Sequence, residues 1–323
     1  MAKVCIVLAT YNGEKYLPQM LDSLCAQTRP ADLIIAVDDG SSDSTVQTLQ
    51  SYAAKLPLQI KALPQNTGHR KAFACALEMA APQLGDDDLV ALADQDDIWL
   101  PQKLEILEKA LSRNNPSNGG TMPSMAYGDA QIIDSNGATI AESWMKTERL
   151  LPQLPIKSQL TGFTNVTGCL MMFKASLFPS ILPIPEGVPV HDQWITLCAS
   201  VQGGYTFIDE AVIQHRIHGG NAIGKAEGHA WTEKLKTNLQ WAKAVRHSKL
   251  YAQLAAGEKK FLDRFIAYLE ARFSKKFSLG YLPWLLKNSK SINPHVHGAL
   301  GHLARSFFGT VGIPVATRFL GKR

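Results

Sequence analysis

Along the first third of the chain, apolar residues fall into short continuous runs separated by stretches of helical spacing. Residues 3–9 form a run rich in Val and Ile, which predicts a strand. In 16–25, Leu17, Met20, Leu21 and Leu24 recur three and four positions apart, which predicts a helix. The alternation then repeats: a strand over 33–37, a helix over 44–53 with Ser41, Ser42, Asp43 and Ser44 available as N-caps, a strand over 58–62, a helix over 71–81 and a strand over 89–93. Strands alternating with helices predict an α/β fold with a mostly parallel sheet covered on both faces, its ligands at the carboxyl ends of the strands. Later in the chain the pattern loosens. Strand-like pieces near 125–127, 169–173 and 205–208 stand among Pro-rich loops, and a basic helical region begins near His229.

Composition fits a soluble globular protein, with 323 residues, 46% hydrophobic and 19% charged, long enough for one large domain with an appendage or for two domains. The net charge of +5 conceals an asymmetry. Residues 1–224 carry 15 Lys and Arg against 23 Asp and Glu, a net of −8, whereas 225–323 carry 18 against 5, a net of +13. The expected organisation is therefore an acidic body over 1–224 and a basic amphipathic helical region over 225–323. In that region Trp231, Leu235, Leu239, Trp241, Val245, Phe261, Phe265, Tyr268, Leu269, Phe273 and Trp284 recur near helical spacing among Lys and Arg. Two compatible readings follow: helices packed on the body, or interfacial helices on an anionic membrane surface. Nucleic acid is not expected as a partner, because no reader motif accompanies the charge.

The five cysteines are odd in number and include no CxxC pair, which argues against a disulfide framework or a zinc site. No signal-peptide core precedes the first strand, and no window is apolar enough to span a bilayer. The expected location is the cytoplasm, peripherally at the inner face of the cell membrane. GxGxxG, P-loop and GxSxG patterns are all missing from the sequence.

Three polar clusters follow predicted strands: Thr10-Tyr11-Asn12-Gly13, Asp38-Asp39-Gly40-Ser41-Ser42-Asp43, and Asp94-Gln95-Asp96-Asp97. The strand-end rule makes them converge. Carboxylates gathered beside a buried sheet repel one another and are costly to desolvate, so a cation or hydrogen-bond donors must balance them. Mg²⁺ or Mn²⁺, bound by one or two carboxylates with positions left for phosphate oxygens, suits a nucleoside-diphosphate substrate. Asp43 alone reads as a solvated helix N-terminus. Asp96 and Asp97 are bracketed by apolar residues on both sides and read as functional.

These strings, with Ile98-Trp99 and Lys103-Leu104-Glu105, the segment NVTGCLMMF at 165–173, His191-Asp192-Gln193-Trp194 and the segment QHRIHGGN at 214–221, resemble the inverting family-two glycosyltransferases of the GT-A fold, in particular their bacterial rhamnosyltransferase-like branch. The resemblance covers about residues 1–224. It implies that Thr10, Tyr11 and Asp39 frame the nucleotide, that Asp96 and Asp97 form the family's DxD-like element with Asp97 as the favoured metal ligand, and that His218 adds a metal or phosphate contact. Asn66, Gly68, Arg70 and Lys71 follow the third strand, where a glycine permits close backbone approach and either cation can offset diphosphate charge.

Inverting transfer needs a base for the acceptor hydroxyl, and Asp192, between His191 and Trp194, is assigned that role, with helix N-capping as its structural alternative. Next to an indole in a cleft, its pKa is expected to rise. The function that the resemblance implies is transfer of a sugar, rhamnose from dTDP-rhamnose, to a lipid-linked saccharide acceptor in bacterial surface polysaccharide synthesis. The alternatives are a UDP-hexose or UDP-N-acetylhexosamine donor, or a catalytically silent nucleotide-sugar or membrane-binding protein.

Overall fold

The computed structural model describes residues 2–113, 122–219, 231–274 and 279–292. The expected boundary near Gly224, the end of the QHRIHGGN segment and residues 293–323 of the basic region lie outside the described residues. The described residues fall into two compact units. The first is drawn from Met1–Gln153, Asn165–Ile184 and Val190–Ala222, and the second from Leu154–Thr164, Pro185–Pro189 and Ile223–Arg323.

The first unit opens as its apolar pattern requires: β1 (Val4–Thr10), α1 (Leu17–Cys25), β2 (Leu33–Asp38), α2 (Thr45–Ser51), β3 (Leu58–Ala62), α3 (His69–Ala80) and β4 (Leu89–Asp94). β1 pairs in parallel with β2 on one side and β4 on the other, and β2 pairs in parallel with β3. The near-continuous burial of β1, β2 and β4 follows from helices covering both faces of a parallel sheet.

The chain continues through β5 (Ile98–Trp99), α4 (Lys103–Leu111), β6 (Met125–Ile133), β7 (Thr139–Ala141), α5 (Trp144–Thr147), α6 (Ile156–Leu160), β8 (Met171–Lys174), α7 (Phe178–Ile181), α8 (His191–Val201) and β9 (Tyr205–Arg216). Among the described residues nine strands form one sheet in the order β3-β2-β1-β4-β8-β6-β9-β5, with β7 on β6. β8 runs antiparallel to β4 and β6, and β9 lies parallel to β6.

Two strands are longer than the sequence pattern predicts, because β6 and β9 pair beyond their apolar starts, from Met125↔Tyr205 to Ile133↔Arg216 with shifts of register around Asp129. That later pairing carries polar residues that break local alternation. Asp129 is nevertheless buried, because Met145 N and Ala130 N donate to its Oδ1 and Ser143 Oγ to its Oδ2. The 169–173 piece also divides: Gly168–Leu170 is a 3₁₀ turn and the strand starts at Met171. Helix α8 begins at His191 with Val190 as its cap residue, so Asp192 sits in the first turn and is not the N-cap.

The second unit contains α6, then α9 (Trp231–His247), α10 (Leu250–Gln253), α11 (Ala256–Phe273), α12 (Leu282–Lys287) and α13 (Ser289–Ile292). Much of its aromatic stripe points inward: Trp241, Val245, Phe261, Phe265, Tyr268, Leu269 and Leu285 are buried, Phe273 is exposed, and Trp241 Nε1 donates to Gln159 O at 3.0 Å. Among the described residues no helix is long and apolar enough to cross a membrane.

Candidate active site

The ends of β1, β2 and β4 are neighbours by register, since Thr10 lies opposite Asp38 and Ala9 opposite Asp94. Side chains then stitch the following loops together. Gln95 Oε1 accepts from Tyr11 N at 2.8 Å while its Nε2 donates to Tyr11 O at 3.0 Å. Asn12, in the left-handed region at φ 46°, takes Ser42 N on its Oδ1 at 2.9 Å and donates its own N–H to Ser41 Oγ. Thr10 Oγ1 and Ser41 N donate to the buried Asp38, which organises the turn after β2.

Asp39 faces the loop after β3. Its Oδ1 accepts from Thr67 N (2.8 Å) and Thr67 Oγ1 (2.7 Å), and its Oδ2 from Gly68 N (2.8 Å). Two glycines allow this closure. Gly40 has φ 75° and stands so close to the Gln65–Asn66 peptide that a Cβ would lie 2.6 Å from Gln65 C, and Gly68 has φ 93° at the cap of α3. Asn66 is exposed, while Arg70 and Lys71 occupy the first turn of α3, half-buried and exposed respectively.

The segment after β4 divides its acids between two environments. Asp96 faces a cavity of about 530 Å³ lined also by Tyr11, Lys15, Tyr16, Gln95 and His218. Its Oδ2 lies 2.9 Å from His218 Nε2. Burial and the charge of Asp97 push its pKa up, opposed by His218 and His215. Asp97 is 0% exposed. Its Oδ1 accepts from His215 Nδ1 at 2.8 Å and from Arg216 N at 3.2 Å, and its Oδ2 has no hydrogen-bond partner among the described residues.

Charges behind the cavity balance this acidity. The Lys103 ammonium is buried, donates to Cys169 O at 2.6 Å and stands 3.2 Å from the centre of the Trp99 ring. Desolvation pulls its pKa down to about 7 against the upward pull of Cys169, Asp97 and Asp94. Arg216, also buried, donates from Nε to Asp96 O at 3.0 Å, from one terminal nitrogen to Asp134 O at 3.2 Å and from the other to Gln19 Oε1 at 2.7 Å. Its guanidinium lies 4.7 Å from the Tyr16 ring centre, so it locks the backbone that carries Asp96.

Two donor sets could hold a cation. Asp96 and His218 offer a carboxylate and an imidazole at the cavity wall, with space for other oxygen ligands. The ligand atoms of Asp97, Cys169 and His215 lie within 4.8 Å of one another, but this set is closed off beside the Lys103 ammonium. Burial also holds its thiol well above the ordinary range, hence protonated. Mn²⁺ accepts an imidazole beside a carboxylate oxygen, and Mn²⁺ and Mg²⁺ both need open positions for further oxygen ligands, so the first set fits such an ion and the closed second set, with its protonated thiol, does not.

Asp192 lies on another flank. It is buried, its Oδ2 accepts from Gly168 N at 3.2 Å and its Oδ1 from Gln193 N at 2.6 Å. Desolvation nonetheless pushes its pKa up to about 6. The polar end of the neighbouring indole is turned to Ile181 O, to which Trp194 Nε1 donates at 2.9 Å. The Asp192 charge is felt at Asp94, whose own pKa is pushed up to about 7 by burial first, then by Asp97 and Asp96.

Tyr11, Asp96 and His218 thus meet at one cavity, and Thr10, Asp39 and Gly68 share the adjoining strand-end network. Asp97 sits behind the wall. Sequence reasoning passed over Asp94, Gln95, Lys103, His215 and Arg216 as site residues, although all five stand inside the quoted motifs. A buried Lys so near a carboxylate cluster, or an Arg inside a strand, is legible in a sequence only when its partner is known.

Residues 5–182 match the family described as Glycosyl transferase family 2. An uncharacterized glycosyltransferase of Nostoc sp. strain PCC 7120 is 27% identical over 229 residues, 68% of this chain and 66% of the relative. One from Rickettsia felis is 25% identical over 70% of this chain and 36% of its own length, so the chain spans less than two thirds of these relatives. The poly(ribitol-phosphate) β-N-acetylglucosaminyltransferase TarS of Staphylococcus aureus is 35% identical over 100 residues, 30% of this chain and 17% of TarS. Among solved structures, S. aureus TarS 1–349 in complex with UDP-GlcNAc superposes with a TM-score of 0.57 at 19% identity, over 94% of this chain and 81% of that one. The mannosyltransferase PcManGT of Pyrobaculum calidifontis, in complex with GDP-Man and Mn²⁺, gives 0.52 at 20% identity over 98% and 79%. The architecture is the GT-A fold, a curled mixed sheet flanked by helices, with a helical C-terminal region.

Proposed function

Because this chain belongs to glycosyl transferase family 2, we propose that it is an inverting transferase that moves a glycosyl group from a nucleoside-diphosphate sugar to an acceptor hydroxyl. The observation that carries this reading is the separation of two kinds of carboxylate. Asp96 faces an open cavity beside an imidazole, whereas Asp192 is buried with its pKa raised to about 6.

Each group has a role suited to its surroundings. Asp192 takes the acceptor hydroxyl proton as that oxygen bonds the anomeric carbon, and the bond from that carbon to the β-phosphate oxygen breaks, releasing nucleoside diphosphate. A base poised near neutrality is efficient in such a step. Asp96 and His218 would hold Mg²⁺ or Mn²⁺, with Asp97, His215 and Arg216 positioning them from behind. When bound, the ion supplies Lewis-acid neutralisation of the departing diphosphate. Asp39 fixes the loop at 66–68, and Thr10 and Tyr11 frame the nucleotide; Arg70 or Lys71, in the first turn of α3, offsets phosphate charge.

The motif likeness favours dTDP-rhamnose as donor. The likeness to TarS, whose structure holds UDP-GlcNAc, favours a UDP-N-acetylhexosamine instead. A lipid-linked saccharide acceptor and a peripheral position on an anionic membrane are proposed from the +13 charge of residues 225–323. The test is release of nucleoside diphosphate by the full chain with Mn²⁺ or Mg²⁺, a panel of dTDP-rhamnose and UDP-sugars, and extracted lipid-linked saccharide. Turnover that requires donor, ion and acceptor is expected. Binding of donor without any release would favour a silent binding protein.

A further inference from the structure

His191 opens α8 immediately before Asp192, and its ring is fixed on several sides by packing. One face lies on Phe73 of α3, with 3.9 Å between ring centres at 24°. The ring meets His69, the first residue of α3, at 6.2 Å and 64°. Its Nε2 is 3.1 Å from where a Cβ on Gly168 would stand, so a side chain there would crowd it. Although the residue is only 6% exposed, neither ring nitrogen has a hydrogen-bond partner among the described residues. Buried polar atoms are satisfied in the great majority of cases, so a rigidly seated ring with two orphaned nitrogens marks a place that a ligand completes.

The surroundings identify the ligand's chemistry. His69 follows Gly68, whose N–H holds Asp39 on the nucleotide side, and Gly168, which leaves room for the ring, also donates its N–H to Asp192. His191 therefore stands between the diphosphate loop and the base. Burial, and secondarily His69, pull its pKa down to about 3, so the ring is neutral and offers one donor and one acceptor. A hydroxyl, which both donates and accepts, can pair with either nitrogen of the neutral ring, whereas a phosphate oxygen, which only accepts, can pair with the protonated nitrogen alone.

We infer that His191 is a sugar-binding residue whose imidazole hydrogen-bonds a hydroxyl beside Asp192, orienting the reacting carbon and helping to select the sugar. This rests on the glycosyl-transfer reading. The test uses the full chain as wild type, His191→Phe, which keeps a ring against Phe73 without nitrogens, and His191→Gln, which keeps a donor and an acceptor. Calorimetry with Mn²⁺ compares UDP-GlcNAc, dTDP-rhamnose and GDP-mannose with free UDP, dTDP and GDP. His191→Phe should weaken the nucleotide sugar that wild type binds by about five- to tenfold. It should leave the matching free diphosphate within about twofold, and His191→Gln should recover much of the loss. If the hydroxyl belongs to the acceptor, the same factor appears in the acceptor KM while donor affinity stays constant, which supports the contact and assigns its source.

Equal weakening of nucleotide sugar and free diphosphate, or no change in either donor affinity or acceptor KM, would overturn the inference. Should His191→Phe not fold, the ring ¹⁵N shifts of wild-type His191 report the same contact: they should move with nucleotide sugar or acceptor and not with free diphosphate, and shifts indifferent to all three overturn it. If wild type binds none of the nucleotide sugars, the glycosyl-transfer reading itself fails and takes this inference with it.

Discussion

Asp96 and His218 stand 122 positions apart in sequence and meet with 2.9 Å between Oδ2 and Nε2 at the wall of the cavity. Asp97, the adjacent residue, turns the other way and is engaged by His215 and the Arg216 backbone. The open pair and the closed residue should respond differently to the same chemical change.

Asp96→Asn should weaken Mn²⁺ binding by at least about tenfold, the scale of losing one charged ligand contact of roughly 1.4 kcal/mol or more, with little effect on melting temperature. Asp97→Asn should do the reverse. It should lower folding stability by about 1–3 kcal/mol through the loss of charge-assisted bonds to His215 and Arg216, and leave Mn²⁺ affinity within a few-fold. Manganese titration by electron paramagnetic resonance, alongside thermal melts, separates the two. Loss of Mn²⁺ binding by a fully folded Asp97→Asn would return the ligand role to Asp97.

Asp192→Asn preserves size and removes the proton acceptor. Transfer should fall by about 10² to 10⁴, with nucleotide-sugar affinity within about twofold of wild type. A parallel fall in calorimetric donor affinity would point instead to the Gly168 contact as the residue's purpose.

The raised pKa of Asp192 has a definite sign in the rate. A carboxyl whose pKa stands near 6, above the ordinary 3.8, is protonated and unable to accept a proton below that pH, and ionised above it. The rate of transfer should therefore decline as pH falls through about 6 and level off above it. A wild-type profile that remains flat down to pH values around 4 would show that the base is an unburied acid.

Gly40→Ala would place a methyl group 2.6 Å from the Gln65 carbonyl carbon at a φ of 75°. The backbone strain alone is of order 1–3 kcal/mol. Because the displaced loop continues to Thr67 and Gly68, which hold Asp39, nucleotide affinity should weaken together with stability. Denaturant titration and calorimetry check the two effects, and a variant that matches wild type in both would mean the loop yields freely.

Within the second unit Trp241, Phe261 and Phe265 of the aromatic stripe are buried, while Phe273 is exposed. The +13 charge of residues 225–323 predicts that their attraction to a membrane is chiefly electrostatic, at roughly 1 kcal/mol per basic residue near the surface. Liposome sedimentation should show binding to anionic and not neutral vesicles, lost at high salt. Salt-insensitive binding would require insertion of apolar groups.

What the sequence determined by itself was the half of the sheet whose stability is local in pattern. The runs at β1, β2 and β4 are buried on both faces, so each is continuously apolar and its limits lie within a residue of the expected ones. Parallel strands place their carboxyl ends side by side, which made the convergence of the three polar clusters legible as well. The later strands were not, because β6 and β9 hold polar residues that only their mutual pairing satisfies. Tertiary structure also decided which member of the Asp96-Asp97 pair faces the cavity. Asp96 stands in the turn after β4 and Asp97 leads into β5, and the side each takes is set by β5, where Ile98 and Trp99 pair with Gln214 and Ile213 of β9 and so bring His215, Arg216 and His218 alongside. The order of residues names the acids, but their roles follow from a pairing more than a hundred residues away, since burial and charge partners are properties of the folded neighbourhood.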